Sequence, residues 1–96
     1  RTGFPELNFI SATREFDDWR INYRLFDSSG INPKSIRVYI DSTETENFKY
    51  DIEKNQLTIY PKIGLKNELE IRIIASNKFG NHTLPHREKI KLTNQK

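Results

Sequence analysis

An all-β fold, a small antiparallel sandwich, is what this sequence predicts, and three observations predict it. Apolar residues recur at every second position in run after run, as in Trp19, Ile21, Tyr23 and Leu25 with Arg20, Asn22 and Arg24 between them. That period is the one a strand shows when one face is buried and the other is wet. Turn formers interrupt the runs at intervals of roughly 8 to 12 residues. No stretch places its apolar residues three and four apart over the length a helix needs.

The first strand is expected over Glu6–Ala12, with Pro5 just ahead of it, where a missing N–H donor is tolerated. The second follows in Asp18–Asp27 and is the most regular in the chain, with Trp19 opening its inward set. "DSSGINP", residues 27–33, is dense in turn formers. Gly30 can take the positive φ that other residues resist. Ile31 is expected to tuck under the loop as a core plug, and Pro33 to fix the start of a turn. Turn chemistry alone accounts for each residue type there, so the segment reads as a structural turn and not as a ligand loop.

Ile36, Val38 and Ile40 then alternate with Arg37, Tyr39 and Asp41 as a third strand. "DSTETEN" reads as a polar connection. Phe48, Tyr50 and Ile52 form the inward set of a fourth strand, and Leu57 and Ile59 that of a fifth, with Thr58 and Tyr60 facing the other way. "KIGLKNE" reads as a loop with one or two apolar plugs. Leu69, Ile71, Ile73 and Ala75 supply a sixth strand, "NKFGN" a turn, and Ile90 with Leu92 the inward face of a seventh. About seven short strands with no helix and no internal repeat is the pattern of an immunoglobulin-like antiparallel β-sandwich.

Ninety-six residues fit one such domain, spanning 1–96, and leave no room for a second. Only 34% of residues are hydrophobic and 30% are charged, so the core must be thin and the surface well solvated. Four tyrosines and six phenylalanines beside Trp19, at regular spacing with the aliphatics, argue against disorder. A net charge of +3 is a mild bias, short of a dedicated nucleic-acid domain. The chain has no cysteine, which removes thiol catalysis, cysteine metal sites and disulfides. No apolar run approaches the roughly 20 residues of a membrane helix. Arg1 stands first, and the expectation is a piece excised from a longer multidomain protein, with any export signal or anchor elsewhere.

"SGINPKSIRVYID" (29–41), then "FKYDIEKNQLTIYP" (48–61), then "LEIRIIASNKFGN" (69–81) resembles the bacterial Ig-like modules repeated in surface and secreted proteins. Those modules commonly carry a Ser-Gly-Ile turn ahead of an Ile-x-Val strand ending in Asp. They commonly close an apolar strand with Ala-x-Asp-x-x-Gly-Asn. Here Asn77 stands where Asp is more usual. The resemblance implies a shape like cadherin and fibronectin type III modules. It implies a role as stalk, spacer or accessory module, with sugar or protein binding in some members.

Candidate sites are few. His82 and His86 lie about 13 Å apart on an extended strand, too far for a metal pair. Asp17, Asp18, Asp27, Asp41 and Asp51 fall near strand ends without an Asp-x-Asp-x-Asp calcium loop, so solvated carboxylates are expected and no metal. No carboxylate pair is set out for hydrolysis, and no serine lies in a nucleophile elbow. The expectation is therefore no enzyme and no cofactor. Arg87, Lys89 and Lys91 read as a charged edge that blocks sheet-to-sheet aggregation, and no nucleic acid is expected. Asn81-His-Thr has the form of a glycosylation sequon.

The best binding hint is the outward pair Tyr39 and Tyr60, with Arg37 and Arg72 as neighbours able to add hydrogen bonds. The leading expectation is a non-catalytic accessory or spacer module of a bacterial cell-surface or secreted protein. Its partners would be neighbouring domains of the same chain, with polysaccharide or a surface protein as further candidates and no membrane insertion. The alternatives are a carbohydrate-binding or adhesive module using the outward aromatics, and a partner-binding module that accepts a strand at an open edge.

Overall fold

The computed structural model describes residues 3–15, 18–62 and 68–91. Eight strands follow one another: β1 (Glu6–Glu15), β2 (Asp18–Phe26), β3 (Ile31–Ile40), β4 (Thr43–Thr45), β5 (Phe48–Asp51), β6 (Gln56–Ile59), β7 (Glu68–Asn77) and β8 (Glu88–Lys91). They form two antiparallel sheets of four, in the orders β1-β2-β6-β5 and β4-β3-β7-β8. This is the immunoglobulin arrangement, with one extra strand, β4, beside the third.

The alternating sets become the core. Ile21, Tyr23, Leu25, Leu57 and Ile59 from the first sheet are fully buried, as are Val38 and Ile71 from the second, with Leu69, Ile73 and Ala75 beside them. Each such side chain contributes about 1.5–3 kcal/mol by leaving water. Ile31 is buried as the expected plug. Trp19 is half-buried and packs on the rim of the core with Leu7, Ala12, Phe48 and Tyr50. A polar link crosses between the sheets: the Tyr23 hydroxyl donates to Glu88 Oε1 at 3.1 Å. Burial, then the nearby Glu88 charge, pushes the Tyr23 phenol far above the ordinary tyrosine range.

Four expectations change. "DSTETEN" is not merely a connection: Asp41 and Ser42 both have positive φ, 51° and 72°, the signature of a two-residue hairpin turn, and Thr43–Thr45 returns along β3 as β4. Ile52 does not face inward. It is 57% exposed, because Asp51 Oδ1 accepts from Glu53 N–H (3.0 Å) and Lys54 N–H (3.2 Å) and turns the chain there. Pro33 opens no separate loop but a tight local turn, across which Asn32 Oδ1 accepts from Lys34 N–H (3.2 Å). It lies within β3, where the register against β7 jumps between Asn32 and Arg37. Proline offers no N–H to the ladder. Ser35 fills the gap: its Oγ accepts from Ser76 N–H (2.8 Å) and its hydroxyl donates to the Asn32 carbonyl (2.6 Å). Finally, β1 runs on to Glu15 and carries a bulge at Ile10, where pairing steps from Phe9↔Tyr23 to Ser11↔Asn22. Leu92, Asp17 and the loop at 63–67 lie outside the described residues.

Loops sort to the two ends. At one end the 27–30 turn closes through Gly30 N–H to the Asp27 carbonyl (2.9 Å), with Gly30 at φ 98°. Asn77 ties this end together. Its Nδ2 donates to the Gly3 carbonyl (3.3 Å) and to Asp27 Oδ2 (3.2 Å), while its Oδ1 accepts from Phe79 N–H (2.9 Å) and Asn81 N–H (3.0 Å). The 41–42 turn lies at the other end, bound to β7 through Asp41 N–H to the Glu70 carbonyl (2.9 Å). Lys91 also lies there, paired with Glu68. Gly3 and Lys91 thus lie at opposite ends of a body measuring 47 × 26 × 18 Å.

Candidate functional site

Three of the four sequence-nominated residues share one surface, and the fourth does not. Arg37 and Tyr39 sit two apart on β3 and face away from the core on the second sheet. Arg72 on β7 lies directly across from Tyr39. Its guanidinium rests 5.3 Å from the centre of the Tyr39 ring, a cation–π contact. Arg37 reaches Glu44 of β4 at 3.7 Å. Tyr60 follows β6 in the first sheet, half-buried, with Arg20 5.9 Å from its ring centre. Tyr39 and Tyr60 therefore look out from opposite faces of the sandwich and share no platform.

Of the basic stripe expected as an edge guard, Lys89 and Lys91 lie on β8, the edge strand of the second sheet, and Arg87 just precedes it. The stripe also borders the Tyr39 surface. Arg87 immediately precedes Glu88, the last residue of the β7–β8 ladder, where it comes near Arg72. Tyr39, Ser42, Glu70, Arg72 and Arg87 together line a depression of about 110 Å³. The hairpin turn brings Ser42 to its rim. Asp41 holds that turn in place, since its carboxylate accepts the Glu70 N–H at 3.0 Å. Nothing within a single strand links Arg87 to Tyr39. The packing of β3, β7 and the start of β8 side by side does.

Elsewhere the polar residues are occupied with structure. Asp27 Oδ1 accepts from the Ser29 hydroxyl (2.6 Å) and the Ser29 N–H (2.9 Å), and these bonds, led by the hydroxyl, hold its carboxyl below the usual range. Asn22 anchors a polar row on the outer face of the first sheet. It donates to Ser11 Oγ (3.1 Å), and its Oδ1 accepts from Thr58 (2.9 Å) and Gln56 (3.1 Å). His86 Nε2 lies 3.2 Å from Glu88 Oε1, while His82 forms an isolated bridge with Ser76. Among the described residues no three metal-ligating side chains gather. The sequon at Asn81 is engaged too: Thr83 is buried, and its hydroxyl oxygen accepts from Ala75 N–H at 3.3 Å. A larger cleft of about 550 Å³ opens at the Gly3 end between Phe4, Phe26, Asp27 and Phe79. Among the described residues no helix is long and apolar enough to cross a membrane.

No protein-family model matches the sequence, and no curated protein does. Among solved structures the chain is similar to the Clostridium perfringens spore cortex lytic enzyme SleM, with a TM-score of 0.57 and 13% identity. The match covers 95% of this chain and 28% of that one. At that identity the likeness bears on the fold alone. The unit seen here thus corresponds in shape to just over a quarter of a longer chain.

Proposed function

We propose that this domain is a non-catalytic immunoglobulin-like accessory module that spaces and orients a neighbouring domain in a bacterial secreted or cell-surface protein. The observation that carries the reading is the placement of Gly3 and Lys91 at opposite ends of the long axis, so that the fold adds length between whatever flanks it. Two further points support it. The 27–30 and 77–81 turns are fastened to each other and to Gly3, which stiffens that end. The polar side chains at the turns bond to backbone N–H groups and so brace the loops. The likeness to a segment of SleM, named as a lytic enzyme, fits a module carried within a larger bacterial chain.

The test is replacement within the full-length chain. Deleting residues 3–91 should impair the whole protein, and inserting an unrelated rigid β-sandwich of similar length should restore it. A replacement as impaired as the deletion would count against a spacer.

A second reading has one observation behind it. β1 is a ten-residue edge strand, uncharged and proline-free from Leu7 to Thr13, with Phe9 and Ile10 exposed on it. Such an edge is a template for a strand from a partner. Under that reading, β1 amides exchange quickly in the isolated domain and become protected in the full-length chain. Equal exchange in both excludes it.

A further inference from the structure

We infer that the depression lined by Tyr39, Ser42, Glu70, Arg72 and Arg87 binds a single oxyanion at its two arginines, a phosphate, sulfate or carboxylate group presented by a larger molecule. The inference goes beyond the spacer reading and does not depend on it.

The argument begins with charge. Arg72 and Arg87, the latter just ahead of β8, line one depression on an exposed face, and both side chains are solvent-accessible. Like charges held near one another repel. Among the described residues neither guanidinium forms an ion pair that would offset this, whereas Arg37 on the same face has Glu44. Glu70 also lines the depression, so the site carries two guanidinium groups against one carboxylate, with Lys89 across the ladder from Glu70. An anion between Arg72 and Arg87 would turn the repulsion into two attractions.

The second part is geometry. A guanidinium recognises an oxyanion through a planar fork of donors, best when the plane is held. The Tyr39 ring lies 5.3 Å from the Arg72 guanidinium and restricts its position. Ser42 adds a hydroxyl on a turn whose left-handed backbone is fastened by Asp41. The volume of about 110 Å³ admits one small anionic group and not a sugar ring with its neighbours. The rest of the ligand must therefore lie outside, over the sheet.

The probes are sodium phosphate, sulfate and acetate at constant ionic strength, with chloride as the control salt, followed by amide and arginine Nε–H resonances. The expected result is a saturable, concerted shift of Arg72 Nε–H, Arg87 Nε–H and the Ser42 amide, with a dissociation constant on the order of 1 mM. An Arg72→Gln, Arg87→Gln double variant should weaken binding at least tenfold. Its remaining spectrum should be unchanged, since both side chains are exposed. Polymers bearing phosphate, sulfate or uronate groups at equal charge then distinguish the sources by which one outcompetes the free ion. Shifts that fail to saturate, that chloride reproduces, or that persist in the double variant would overturn the inference. The spacer reading would stand untouched by that failure.

Discussion

Asn77 sets the chemistry of the Gly3 end. Its amide donates toward Asp27 while its oxygen gathers two backbone N–H groups, a division of roles that aspartate cannot copy. An Asn77→Asp substitution would set two carboxylates against each other at a buried position. The expected loss is roughly 2–5 kcal/mol at neutral pH, measured by chemical denaturation. An unchanged midpoint would contradict the role given to Asn77. Asp27 makes the companion case. Its folded carboxyl is held below the ordinary aspartate value near 4. The stability it contributes is therefore fully present above that value and lost as pH falls through the lower folded one. Melting temperatures of wild type and Asp27→Asn should differ most at pH 6–7 and converge toward pH 2, while parallel curves would remove the linkage. Here the sequence was partly legible. The residue types of "DSSG" and "NKFGN" announce turns, but nothing in either run says that Asp27 and Asn77, fifty positions apart, bond to each other.

At the scale of the element, legibility follows how much apolar surface a strand buries. β2 and β7 declare themselves because Ile21-x-Tyr23-x-Leu25 and Leu69-x-Ile71-x-Ile73-x-Ala75 must face the core. β4 is silent, because Thr43, Glu44 and Thr45 join β3 through the backbone ladder and the Arg37–Glu44 pair and carry no apolar pattern. Ile52 misleads because the alternation of Phe48 and Tyr50 runs one step past the point where Asp51 turns the chain. The face of Tyr39 and of Tyr60 relative to its own strand could be read from period two. Which sheet each strand joins could not, and that separates the two tyrosines. The 41–42 hairpin carries its own expectation. Ser42 holds a φ of 72°, costly for a side chain with a Cβ and free for glycine. Ser42→Gly should stabilise the domain by about 1 kcal/mol, read as a higher denaturation midpoint, and a lower midpoint would show the turn is not strained there.

For the whole molecule, the consequence of the topology is a strut. Two four-stranded sheets share a thin aliphatic core, Tyr23 and Glu88 link them, and the chain passes from the Asn77 end to the Glu68 end. The absence of cysteine makes this easy to measure, since two introduced thiols take spin labels without background. Gly3 has open space where a Cβ would sit, and Lys91 is exposed, so Gly3→Cys with Lys91→Cys should leave the fold intact. Double electron–electron resonance between them is the most direct test of the spacer account. A single narrow distance peak is expected, longer than the roughly 30 Å of a ten-residue strand and within the 47 Å long axis. A short distance, or a broad spread, would mean that the ends are not held apart and would contradict the account.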